Sequence, residues 1–325
     1  MMCYYLFSLM LGMIPLIRVE EPEYLQALRS YSSLITSGAG HITVYSVWDE
    51  FGLQKMAEAQ WLAIQAGAEE RYIVHPVDAH LQFFVAFKGD KFRWEIVDTT
   101  QNPPGKLYII DQRGVIVNGK SKAVQYDRRL GEIIQGIGYL NDPDPCHFAM
   151  VSDLYPSFLK VKGESLIDLL QGRSEKWGQL SVQELGSMML NGLSCARFRL
   201  SNDHVVIDVW LSKEHGYLPK RIEVVEKEVT WGPGRDKGGT DKTVYLYTYK
   251  LYGDNIWFVD RIDERLFWIV NGREEPFSHR TTKIEDDFRI NIDIPDDIFQ
   301  IEFYKGQEVR VWQGRTYKVI RWGQE

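Results

Sequence analysis

The stretch at residues 204–225, "HVVIDVWLSKEHGYLPKRIEVV", constrains the fold more than any other part of the chain. Val205, Ile207, Val209 and Leu211 alternate onto one face, a Gly-Tyr-Leu-Pro break follows, and Ile222 and Val224 resume the alternation. A period of two around a turn predicts two β-strands. Val206 and Trp210, on the opposite face, are apolar as well, so the first strand needs cover on both sides. The same grammar recurs. "LQFFVAFKGDKFRWEIV" aligns Phe83, Val85 and Phe87, turns at Lys-Gly-Asp, then aligns Phe92, Trp94 and Ile96, which is a hairpin signal. "VYLYTYKLY" puts Tyr245, Tyr247 and Tyr249 on one side, and "HITVYSVW" starts the strands at residue 41. "FRINIDIP" sets Phe288, Ile290, Ile292 and Ile294 against Arg289, Asn291 and Asp293 and stops at Pro295. Strands joined by short turns predict a mainly antiparallel sheet.

Helical spacing is confined to a few segments. Tyr24, Leu28, Tyr31 and Ile35 predict a helix over 21–37, with Gly38 as its stop. Leu53, Met56, Ala57, Trp61 and Ile64 can share a face of a helix over 51–68, the alternative for that segment being a long polar hairpin excursion. Leu130, Ile133, Ile134 and Ile137 predict a helix over 126–137, and Leu166, Ile167, Leu169 and Leu170 predict one over 164–171. Ser181 with Glu184 has the capping-box arrangement and predicts a helix over 182–190. A block of helices within about 120–190 is therefore expected to interrupt the strands, with "NDPDPC" as a rigid turn inside it. No repeat, low-complexity tract or linker divides the chain.

Charge and composition exclude some function classes. With 45 acidic residues against 38 Lys and Arg, and the basic ones scattered, the chain lacks the means to neutralise nucleic-acid phosphates or an anionic membrane. A chain of 325 residues hides roughly 75% of its unfolded surface, enough for a large core. The opening residues are uncharged and apolar through Ile17 and turn polar at Arg18. That pattern reads as an export signal over 1–18, an uncleaved anchor or a buried N-terminal segment. Once it is removed, Cys146 and Cys195 remain of three cysteines, either as a disulfide or as two unrelated buried thiols.

Catalytic signatures are missing. "HPVDAH" brings His75, Asp78 and His80 close in sequence, but a five-residue step along a strand sends the two histidines to opposite faces. His147 beside Cys146 has no supporting motif. "WGPGRDKGGT" at 231–240 is glycine-rich but lacks the Gly-Lys-Ser/Thr ending and the following helix of a phosphate loop, so it reads as a hairpin loop. The expectation is no enzyme activity, no metal and no cofactor.

Three stretches resemble the lipoprotein-carrier superfamily, the LolA/LolB-like proteins of the bacterial envelope. These are "YLQALRSYSSLITSGAGHITVYS", "DVWLSKEHGYLPKRIEV" and "FRINIDIPDDIFQIEFYKGQEV"; "FKGDKFRWEI" is similar to a hairpin of the family. Residues 51–80 and 120–190 look like additions to its pattern. The resemblance implies one domain over 19–325: a curved antiparallel sheet forming an unclosed barrel, with helices over its open face. It implies an exported, monomeric carrier in the periplasm or cell envelope that holds lipid or lipoprotein acyl chains in an apolar cavity. Envelope proteins would be its exchange partners. The residues on the better-alternating faces would line the cavity: Phe83, Val85, Phe87, Trp94, Val209, Leu211, Tyr247, Ile290 and Ile292. The alternative is an interaction protein of the same fold whose barrel is filled by its own side chains.

Overall fold

The alternating segments join into one continuous sheet. The computed structural model describes residues 21–65, 79–99, 109–117, 120–129, 132–141, 159–229, 239–253, 255–314 and 316–324. In chain order the first elements are α1 (Glu23–Leu34), β1 (Ser37–Trp48), α2 (Glu50–Gln65), β2 (Ala79–Lys88), β3 (Lys91–Thr99), β4 (Ile109–Val117), β5 (Lys120–Arg129) and β6 (Glu132–Leu140). A short pair follows, β7 (Lys160–Val161) and β8 (Glu164–Ser165), and then α3 (Leu166–Leu170). A long meander comes next: β9 (Ser181–Leu190), β10 (Leu193–Ser201), β11 (Val205–Ser212), β12 (Leu218–Val229), β13 (Gly239–Tyr252), β14 (Ile256–Val270) and β15 (Arg273–Ile284). The chain closes with β16 (Arg289–Ile290), β17 (Glu308–Trp312) and β18 (Tyr317–Arg321).

The strands lie in the order β18-β17-β6-β5-β4-β3-β2-β1-β15-β14-β13-β12-β11-β10-β9, with β16 added beside the start of β1. Neighbours are antiparallel except β17 on β6. The sheet is large and curved and does not close into a barrel. Register shifts on β9–β10, β11–β12, β13–β14 and β14–β15 supply the bends that a sheet of this width needs. Apolar residues of its inner face form one core with Leu25, Leu28 and Tyr31 of α1 and Leu166, Leu169 and Leu170 of α3. A smaller core of Val115, Val124, Ile301, Phe303 and Val309 lies under the C-terminal strands.

Two of the predicted helices are strands. Of residues 126–137, 126–129 belong to β5 and 132–137 to β6, which pair with each other and with β4 and β17. Ile133 and Ile134 are β-branched, and ladder pairing outweighs their helical spacing. Residues 182–190 belong to β9. The capping-box reading failed because Asn191 and Gly192, both with positive φ, form a two-residue hairpin turn into β10. The described part of 120–190 therefore holds one short helix, α3, rather than a helical block. "FRINIDIP" is also mostly not a strand: only Arg289–Ile290 pairs, because Asn291 turns into the left-handed region at φ 54°. That segment crosses β1 closely. A Cβ on Gly40, whose φ is +152°, would stand 2.3 Å from Phe288 Cα, so only glycine fits there. The helices expected near 21–37, 51–68 and 164–171 do form, as α1 to Leu34, α2 through Gln65 and α3, with residues 66–68 outside the described ones.

Candidate functional site

The chain has an open cavity of about 990 Å³ between the C-terminal end of α1, α3, the β2–β3 turn and the strap at 291–293. Ser32 and Ser33 in the last turn of α1, and Ile35, the extended residue that caps it, lie on its wall. The β2 alternation brings Phe87, and Leu159 and Ile167 close it from the α3 side. Asn291 holds the strap down. Its side-chain oxygen accepts from Thr36 N at 3.0 Å, its amide donates to the Leu34 carbonyl at 2.8 Å, and Ser37 Oγ donates to Ile292 O at 2.6 Å.

The cavity is apolar although serines line it. Ser32 Oγ donates to Leu28 O at 3.0 Å and Ser33 Oγ to Ser30 O at 2.7 Å, while Ser165 Oγ accepts from Asp168 N as the cap of α3. These hydroxyls are engaged with local backbone. Ile35, Phe87, Leu159, Ile167 and Ile292 supply the apolar walls. Charge sits at the rim. Lys88 Nζ donates to Ile294 O at 2.7 Å and lies 3.6 Å from Asp293 and 3.4 Å from Asp296. Hydrogen bonds from Lys91 and then Lys88 hold the Asp296 carboxyl below its ordinary pKa.

Of the nine residues expected to line a cavity, Phe87 and Ile292 line this one. Phe83, Val85, Trp94, Val209, Leu211 and Tyr247 are each at most 3% exposed and pack into the main core, and Ile290 packs against it. Ile292 is 38% exposed. The interior is filled by large side chains, among them Phe83, Phe92, Trp94, Phe198, Phe258 and Phe288. Trp94 Nε1 and Tyr31 OH are buried there without a hydrogen-bond partner among the described residues, and burial pushes the Tyr31 phenol well above its ordinary pKa. Sequence reasoning missed Ile35, Leu159 and Ile167 as cavity walls. Ile35 was visible only as the last residue of a helical stripe, and nothing in the sequence brings α3 to the end of α1.

Other chemical groups are closed off or lie outside the described residues. His75, Asp78, Cys146, His147 and residues 231–238 fall in the latter group. His80 is exposed and edge-on to Tyr45. Among the described residues, no group of three or more His, Cys, Asp or Glu could hold a metal. Cys195 is a free, buried thiol whose pKa burial raises. Ser212 Oγ lies 2.9 Å from His215 Nδ1, a pairing of nucleophile and base type. Ser212 is completely buried, so no substrate can approach its hydroxyl, and the contact closes the β11–β12 turn.

No protein-family model matches the chain, and no curated protein matches it. Among solved structures it is similar to a DUF1329 family protein from Desulfovibrio piger, at 12% identity and a TM-score of 0.38, over 86% of this chain and 95% of that one. A likeness of that size assigns neither family nor activity. No helix among the described residues is long and apolar enough to cross a membrane.

Proposed function

We propose that the protein is a non-enzymatic binding protein of the bacterial envelope type, and that it holds an acyl-bearing ligand in the cavity between α1, α3 and the Asn291–Asp293 strap. The observation that carries this reading is the cavity itself. Its volume of about 990 Å³ lies at the upper end of the roughly 300–1,000 Å³ usual for small-molecule sites, and Ile35, Phe87, Leu159, Ile167 and Ile292 give it apolar walls among polar and charged lining residues. Each methylene buried there contributes about 0.8 kcal/mol before the costs of association. A polar end group would lie at the rim beside Lys88. Export, drawn from the apolar residues 1–17, is part of the same proposal, and cell fractionation tests it.

A second reading, an interaction protein with a filled barrel, draws on the packing of Phe83, Trp94, Phe198 and Phe258 through the interior. Titration with a fluorescent fatty acyl probe separates the two. The carrier reading expects saturable binding that I167E abolishes while circular dichroism stays unchanged, since Ile167 is only partly buried. Wild-type protein that binds no acyl probe leaves the filled-barrel reading in its place.

A further inference from the structure

The sheet ends on two strands of unlike character. The β18 edge is short and carries Lys318 and Arg321, the usual protection against unwanted strand addition. The β9 edge is ten residues long, and every residue before Leu190 is exposed. Val182, Leu185, Met188 and Met189 are among its exposed side chains, and Glu184 is its one charged residue. Among the described residues, β9 pairs with β10 alone. Its outer row of backbone N–H and C=O groups is a template for another extended strand.

A bulge decides which strand fits. Between Ala196 and Phe198 of β10, the β9 partners step from Ser187 to Glu184, so Leu185 and Gly186 together oppose Arg197, with Gly186 at φ +85°. The extra residue swaps the faces along β9. Val182, Glu184, Ser187 and Met189 oppose Leu200, Phe198, Ala196 and Ser194 and share one face, while Ser181, Gln183, Met188 and Leu190 share the other. A regular strand in step with one half of β9 would present its side chains to the wrong face along the other half.

We propose that β9 pairs antiparallel with β9 of a second copy of this chain, about a two-fold axis that lies between the two strands at the level of the Leu185–Gly186 peptide. A second β9 carries the same extra residue, so its register stays in step on both sides of the axis. Val182 then faces the partner's Met189, Gln183 the partner's Met188, and Glu184 the partner's Ser187, each pair on one face. Glu184 meets a hydroxyl donor rather than its own copy, and the contact is isologous, as a closed dimer requires. Apolar and oppositely charged cross-strand pairs stabilise such a ladder, and like charges oppose it.

The register makes a specific test. Sedimentation velocity of the full chain should give a dimer. Substitution V182K alone should weaken self-association at least about tenfold, because each Lys is set against the partner's Met189 without a charge partner. Substitution M189E alone should do the same. The V182K/M189E double variant places Lys against Glu twice across the axis and should restore the dimer, with circular dichroism unchanged throughout. A monomeric wild type, or a dimer that V182K and M189E leave intact, overturns the proposal. Single variants that dissociate without rescue in the double variant overturn the register and with it the bulge argument.

Discussion

Glu226 on β12 ties the segment bearing α3 to the sheet, and its removal should be visible as a change in the pH dependence of folding. The residue is 9% exposed. It accepts from Trp177 Nε1 at 2.9 Å and from Lys176 Nζ at 2.8 Å, and it pairs closely with Lys162. Burial by itself would raise the carboxyl pKa; the attraction of Lys162, followed by Lys176, outweighs it and lowers the pKa from 4.5 to about 2. A folded-state value below the unfolded one means that the unfolded chain binds the extra proton. The contribution is therefore complete above the unfolded value of 4.5 and is lost as pH falls toward 2. At about 1.36 kcal/mol per pKa unit the shift bounds the effect near 3 kcal/mol, and the exposure of Lys176 reduces it to about 2 kcal/mol. Urea unfolding of wild type and E226Q at a series of pH values measures this. The variant should be less stable by about 2 kcal/mol near neutrality, and the gap should start to narrow as the pH falls below 4.5, where the unfolded carboxyl protonates, and close toward about 2, where the folded one does. A gap that stays constant with pH, or that opens on acidification, would refute the linkage argument.

Two further outcomes follow from packing. L211A should cost about 2–5 kcal/mol by chemical denaturation, because Leu211 is completely buried. I292A should change stability by less than about 0.5 kcal/mol, since that side chain is 38% exposed, so equal losses at the two sites would contradict the placement of the core. G52A should detach α2 from β15, because its Cβ would stand 2.0 Å from the Phe277 carbonyl oxygen, a backbone atom that cannot swing aside. The near-ultraviolet signal of the Phe51–Trp268 contact should then change while the sheet keeps its urea midpoint; an unaltered near-ultraviolet spectrum would show that α2 tolerates the methyl.

Local signals carried the sheet. The β2–β3 hairpin, the strand pair around 204–225 and the tyrosine strand β13 follow from period-two patterns that the ladder pairing respects. The misreadings came where two local signals competed. Asn191-Gly192 and Asn271-Gly272 have the left-handed pair of residues that a tight hairpin needs, and the first of these outweighs the helical spacing of Leu185, Met188 and Met189. At Asn291 the alternation in "FRINIDIP" is real, but the side chain is committed to Thr36 and Leu34, 255 and 257 residues away in sequence. Contacts of that separation leave no mark in a window of ten residues, and the cavity is built from them. Period two identified Phe87, whereas Leu159 and Ile167 reach the same cavity only because α3 packs at the end of α1.

The two apolar faces of β11 have different causes, and the difference bears on where a ligand can go. Val205, Ile207, Val209 and Leu211 face inward and are completely buried. Outward-facing Trp210 is 6% exposed, but its cover is not a helix. The guanidinium of Arg197 sits 5.0 Å from the indole ring and that of Arg221 5.4 Å, on neighbouring strands, and Trp210 Nε1 points to Met188 Sδ at 3.1 Å. Asp208 on the same outer face accepts from Arg199 and Arg197. Burial would raise its pKa, but those two bonds lower it further. Arginine stems thus make the second layer, with their charges kept at the surface. Among the described residues a layer of this kind covers the outer face of β11, and the filled core occupies the inner side at the level of Leu211. Apolar room is left at the end of the sheet, where α1, α3 and the Asn291 strap meet. The cavity therefore sits at an edge of the fold rather than at its centre, so a substitution there tests the proposed ligand binding separately from folding.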